Sequence, residues 1–341
     1  MKLGEIHING IGTCIPDRIS TEEAVKRGWY GAQEMEDSGL VSISVAGETP
    51  APDLAIAAAQ AALKQDSEAA GEVGLLLHSH VHPQGPDGWS AQHYINLHTV
   101  NRPIPAIVAN NGCLGMLSGI ILGATWLSSR SSGEDSVLIT SADNMGTPAI
   151  DRWNASYLYV LADSGGALLL SRRSGIATVL SIASVSDPSL EQLHRGREPL
   201  FPPGMTVGKT LDFNSRLAYC REQWLSGEMV PLGDFGSVIS RAYREALDDA
   251  GLTADDVARV THAGFAHQPL HDLLLDPLGV DDARGVWDFT RHIGHAGPVD
   301  PILGLDHLLN SGAVRRGDIV ALTSGTPGME ASCAILRITD V

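Results

Sequence analysis

A long internal repeat constrains this chain more than any other feature. An Ala-rich helical stretch from Asp53 to Gln65 leads through an acidic turn into the apolar run EVGLLLHSH, which ends at His80. Later, SVISRAYREALDDAG leads through TADD into VARVTHAGFAH, which ends at His267. The pattern continues downstream in both places. NNGCLGMLSGIILGATWLSSRSSGEDSVLITSA and HIGHAGPVDPILGLDHLLNSGAVRRGDIVALTSG each read as glycine-flanked turn, apolar helix, acidic turn and apolar strand. The offset is 182 residues between Cys113 and His295 and 183 between Ser141 and Ser324, near half of the 341-residue chain. Such a period is too long for a solenoid, whose units run ~20–50 residues, and points to duplication of a domain-sized unit. Alternating helix and strand periods make the architecture α/β. The expected halves are residues 1–172 and 173–341, packed about a pseudo-twofold axis with helices covering each sheet.

Charge and composition narrow the function. Lys and Arg number 23 against 40 Asp and Glu, a net charge of −17, which repels phosphate backbones and anionic lipid surfaces. Nucleic acid is therefore not an expected partner, and an acidic carrier protein would need a local basic patch. No window reaches the ~18–20 uncharged apolar residues of a membrane span, and MKLGEIHING has no apolar run behind a basic flank. A cytoplasmic protein is expected. Cys14, Cys113, Cys220 and Cys333 stand far apart with no CxxC pair, which fits a reducing compartment better than a disulfide framework or zinc knuckle.

Among the cysteines, Cys113 has a setting that activates a thiol. In PAIVANNGCLGMLSGIILGATWL an apolar strand runs into an Asn-Gly turn, and Cys113 stands where a long apolar helix begins. Free amides at a helix start favour thiolate over thiol, and Gly112 and Gly115 leave room for a substrate. The competing reading is an inert buried cysteine. His295 occupies the repeat-equivalent position, so the pseudo-twofold would bring a nucleophile and a base into one pocket. Asp300, five residues on in GHAGPVDP, could hold the imidazole tautomer, or cap the helix that Pro301 opens; the roles are compatible. His267, in GFAHQP, is a second base candidate at a strand end, against a purely structural reading.

Other features carry less. His78, His80 and His82 alternate and would share one face of an extended strand, but no acidic or cysteine partner lies near them in the sequence, so no metal site is expected. The irregular stretch Ser186–Asp212, containing His194, reads as either a loop over the pocket or a connection between halves. The glycine-rich LADSGGALLL and SGTPGMEASCAIL lack phosphate-cradle spacing and read as tight turns between strands; the second could supply oxyanion-binding N–H groups near Cys113. Trp89, the Met205 region and Trp224 are candidate pocket walls.

Taken in order over almost the whole chain, these segments resemble the thiolase-fold condensing enzymes, specifically ketoacyl-ACP synthase III and its acyltransferase relatives. VANNGCLGMLSG is similar to that family's nucleophile turn, LADSGGALLL to its GDGAGA strand pair, GFAHQP to its HQ-containing strand end, and SGTPGMEASCAIL to its closing hairpin. The resemblance implies a five-layer αβαβα fold, a homodimer, and acyl transfer through a Cys113 thioester fed by CoA or an acyl carrier protein, with no metal or redox cofactor. It also implies departures. Where decarboxylating synthases carry an Asn that stabilises an enolate, this chain has His295. A His with Asp300 five residues later is similar to the Cys-His-Asp set of natural-product acyltransferases that esterify a sugar, polyketide or other acceptor, and HPQGPDGW resembles the same branch. The CoA-gripping WIVTRTGI-like segment is missing near Trp29, which favours a carrier-protein donor. The expected activity is therefore ester or amide formation, with Cys113, His295, Asp300 and His267 at the site. Decarboxylative condensation and a non-catalytic carrier-binding subunit are the alternatives.

Overall fold

Strands buried on both faces need near-continuous apolar runs, and the longest such runs of this sequence line up side by side. In a computed structural model describing residues 1–129, 135–228, 234–326 and 330–340, nine strands form one sheet. They are β1 (Lys2–Cys14), β2 (Val73–Ser79), β3 (Ala106–Val108), β4 (Ser136–Asp143), β5 (Ser164–Ser171), β6 (Ala177–Ser186), β7 (Val257–Thr261), β8 (Ile319–Thr326) and β9 (Glu330–Ile338). Their order across the sheet is β3-β2-β4-β5-β1-β6-β9-β8-β7. Read outward from the central β1/β6 pair, the two sides match. β5 and β9 lie antiparallel to the central strands, β4 and β8 follow antiparallel again, and β2 and β7 then pair in parallel. Even the short β3 has a counterpart, because Val260 N donates to Arg284 O at 2.8 Å much as Leu76 N donates to Pro105 O at 3.0 Å.

Four helices fill equivalent places: α1 (Ala51–Leu63), α2 (Gly115–Ser128), α3 (Asp234–Ala250) and α4 (Asp300–Asn310). Alternate strand residues serve different layers, as the two-residue strand period requires. Leu138 and Leu169 pack with Leu54, Ala58 and Ala62 of α1 on one outer side. Their neighbours Val137, Ile139, Leu168 and Leu170 turn inward to a central cluster that holds Leu117 and Ile120 of α2, Ile302 and Leu305 of α4, and Val320, Leu322 and Leu336 of the other half. Ala321, Ala331 and Ile335 face Val238, Ile239 and Ala246 of α3 on the far side. Helix, half-sheet, helix pair, half-sheet, helix is the resulting sequence of layers. The helix pair α2 and α4 in the middle is what brings the two repeat-related helix starts together.

Close approach explains several glycines. A Cβ on Gly12 would stand 2.0 Å from Ala58 O and one on Gly165 2.3 Å from Leu54 O, so α1 settles on β1 and β5 only because both strands carry glycine there. This corrects the turn reading of LADSGGALLL: its glycines lie within β5 and are required by packing. No described helix is long and apolar enough to cross a membrane.

Candidate active site

The Cys113 turn is tightly held. Gly112 has φ +50, and its Cα faces Thr326, whose Cγ2 would lie 2.7 Å from an added Cβ. Ser324 Oγ donates to Cys113 O at 2.9 Å, and Asn111 Nδ2 donates to Glu330 Oε2 at 3.0 Å, so the β8/β9 hairpin clamps the turn from the other half of the chain. Within SGTPGMEASCAIL, the segment expected to supply oxyanion-binding N–H groups, residues 327–329 lie outside the described residues.

His295 arrives from the opposite side. Its N–H donates to Val160 O at 2.9 Å and its carbonyl accepts from Ala162 N at 2.9 Å. Gly294, at φ +82 and close against Val160 O, permits this approach. The ring then presents Nε2 to Cys113 Sγ at 3.3 Å and Nδ1 to Asp300 Oδ2 at 2.6 Å. Asp300 does not cap α4: Val299 occupies the N-cap position without a side-chain cap bond. Its carboxylate instead accepts Gly264 N–H on Oδ2 and Ala296 N–H on Oδ1, each at 2.8 Å. Three donors on a buried carboxylate fix both its position and the imidazole it holds.

Electrostatics follow from this packing. Burial opposes the charge on His295, but Asp300 and then Cys113 outweigh it and push the His295 pKa up to about 10. An imidazolium therefore faces the sulfur at neutral pH. Burial drives the thiols of Cys14, Cys220 and Cys333 upward, so these three are poor nucleophiles.

An aromatic wall that no motif of the sequence marks completes the site. The Tyr159 ring lies 4.5 Å from the His295 ring, and Phe265 stands edge-on to it at 5.2 Å. Burial, with Cys113 next, pushes the Tyr159 phenol well above its ordinary value, keeping it neutral. The alternation in SYLYVLAD just before β5 was the available signal. The irregular stretch also contributes: His194 stacks on Phe213 at 5.3 Å, and Phe213 meets Tyr159 at 6.1 Å. Burial, Arg216 and His295 lower the His194 pKa to about 4, so it is a neutral imidazole next to the charged one.

His267 does not join the set. The strand β7 ends at Thr261, well before His267, because Gly264 passes backbone-to-backbone against Gly294, 2.0 Å from Gly294 O for an added Cβ. Phe265 takes the place beside His295. The His267 ring turns to Asp282, at 2.9 Å, and to Trp287. The histidine run also diverges: His78 bonds Thr140 and Gln84 while His80 bonds the His82 carbonyl. Trp89, Met205 and Trp224 are all exposed. Trp89 borders a cavity of about 390 Å³ along HPQGPDGW that none of Cys113, His295 and Asp300 lines.

Two matched half-sheets and a Cys–His pair carried on the turns ahead of the two central helices define the thiolase-fold class of acyl-transferring proteins. Residues 247–338 match the family described as 3-oxoacyl-[acyl-carrier-protein (ACP)] synthase III C terminal. A curated β-ketoacyl-[acyl-carrier-protein] synthase III of Streptomyces lividans is 27% identical over 233 residues, which span 67% of this chain and 63% of that relative. The solved structure of ChlB3, named an acyltransferase, is 35% identical, with 98% of each chain covered and a TM-score of 0.92. The 3-oxoacyl-[acyl-carrier-protein] synthase III of Aquifex aeolicus shares the fold at 18% identity, with 97% of this chain and 99% of that one covered and a TM-score of 0.76. The chain belongs to the ketoacyl-ACP synthase III-like acyltransferases.

Proposed function

We propose that this protein transfers an acyl group from an acyl-carrier-protein or CoA thioester, through a thioester on Cys113, to a hydroxyl or amine of a small acceptor. The observation that carries this reading is the continuous Cys113–His295–Asp300 hydrogen-bond chain. It supplies a base with a buried counter-ion where decarboxylation would call for a neutral enolate stabiliser.

The protons balance along this route. Cys113 Sγ attacks the donor carbonyl as thiolate, and the His295 imidazolium gives its proton to the departing thiol. His295 is then neutral, and loss of the thiolate charge removes one of the influences that raised its pKa. It accepts the proton of the attacking acceptor hydroxyl while Asp300 stabilises the imidazolium that forms. Collapse of the tetrahedral adduct expels Cys113 as thiolate and restores the starting pair. His194, neutral and within the electrostatic reach of His295, orients the acceptor. The protein works as a cytoplasmic homodimer in this reading; the exposed Ile107 on edge strand β3 supports pairing with a second copy.

Mass spectrometry after exposure to acyl thioesters tests the proposal. The expected result is an adduct on Cys113 that Cys113→Ala abolishes and that a hydroxyl acceptor discharges; a chain that never loads would overturn it.

A further inference from the structure

The histidine released from the active site belongs to a second cluster. His267 opens the short helix His267–Leu270, and His271 begins the π-helical turn His271–Leu275 that continues it. Side chains four apart on a helical run share a face. Here both Nε2 atoms meet one carboxylate, His267 on Asp282 Oδ2 at 2.9 Å and His271 on Asp282 Oδ1 at 3.1 Å. One ligand atom from each of the three residues can be chosen so that all lie within 4.8 Å of one another. The far side of His271 is fixed as well, with Nδ1 3.0 Å from Asp276 Oδ1. A carboxylate behind an imidazole orients the ring and raises its basicity, the arrangement that usually backs a metal-bound histidine. Trp287 packs against His267, with ring centres 4.9 Å apart, and holds that ring toward the cluster. All three side chains are partly exposed, so an ion can reach them.

We propose that His267, His271 and Asp282 form a binding site for a borderline divalent transition metal, with zinc as the ion. Two imidazoles and a carboxylate match zinc and leave at least one position for water, whereas magnesium and calcium prefer sites built from oxygen alone. Zinc would take the place now held by the Nε2 protons. It would clip the helical run to the turn at Asp281–Gly285, which itself pairs with β7 through Arg284. This site is separate from the proposed acyl transfer and stands whether or not that reading does.

The test uses the full chain, stripped with a chelator and titrated with zinc against a chromophoric competitor. The expected result is one saturable equivalent, weakened roughly tenfold or more by His271→Ala or Asp282→Ala and retained in Cys113→Ala. Cobalt substituted for zinc should give visible d–d bands without a thiolate charge-transfer band. No saturable equivalent in the wild type, undiminished uptake in the His267→Ala/His271→Ala protein, or a thiolate band would each overturn the proposal.

Discussion

Asp300→Asn perturbs the site at its least replaceable point. The carboxylate accepts three hydrogen bonds: from His295 Nδ1 and Gly264 N on Oδ2, and from Ala296 N on Oδ1. Asparagine has one acceptor oxygen and one donor group, so in either orientation its NH2 confronts at least one N–H. The variant also removes the buried counter-ion of His295. Removing one partner of a buried pair costs about 3–5 kcal/mol, and here that cost falls on the imidazolium formed as the acceptor is deprotonated. At about 1.36 kcal/mol per decade, transfer should slow by roughly 150- to 5,000-fold. Wild type and variant would be loaded from one acyl thioester, chased with an alcohol, and followed by intact-protein mass spectrometry. The variant should still load, and NMR should show its His295 losing its proton at a lower pH than the wild-type value of about 10. Transfer within threefold of wild type, with His295 still charged at high pH, would show that Asp300 neither charges nor positions His295.

Four other outcomes are expected. His295 has a folded pKa above its ordinary value of 6.5, so the stability it adds is complete below about 6.5 and is lost as pH rises through about 10. Urea unfolding across that range should show the decline, and Asp300→Asn should flatten it. His194→Ala should leave Cys113 loading near normal yet slow acceptor transfer by roughly tenfold or more, read by the same chase. Gly112→Ala should destabilise the protein by at least ~1–2 kcal/mol through its left-handed backbone, with further loss from the Thr326 contact, and Thr326→Ser should recover only that further part in denaturation. Arg152 makes a buried bidentate pair with Asp163, so Arg152→Ala should cost about 3–5 kcal/mol of unfolding free energy.

Much of the architecture is written in periodicity. Runs such as GLLLHS and GALLLS have to be strands covered on both faces, and the near-constant offset between repeats puts Cys113 and His295 on related helix starts. Their 3.3 Å contact is legible for that reason. What local pattern could not convey is where a chain turns under tertiary contact. VARVTHAGFAH reads as one extended strand to His267, yet Gly264 must pass over the Gly294 backbone. That turn shifts the register so that Phe265 takes the place beside His295 and His267 leaves the pocket. Asp300 showed two compatible signatures in sequence, and only the absence of a side-chain cap bond separates them. Tyr159 and His194 enter the site through folds of the chain with no repeat counterpart, so nothing in the duplication announces them.

Turnover depends on acylated Cys113 being discharged by a hydroxyl that His295 deprotonates. The direct measurement is to divide one batch of acyl-enzyme between an alcohol acceptor and a malonyl thioester, following ester formation and carbon dioxide release. Discharge by the alcohol with no carbon dioxide from the malonyl arm is the predicted result. Stoichiometric carbon dioxide with a new carbon–carbon bond would contradict it.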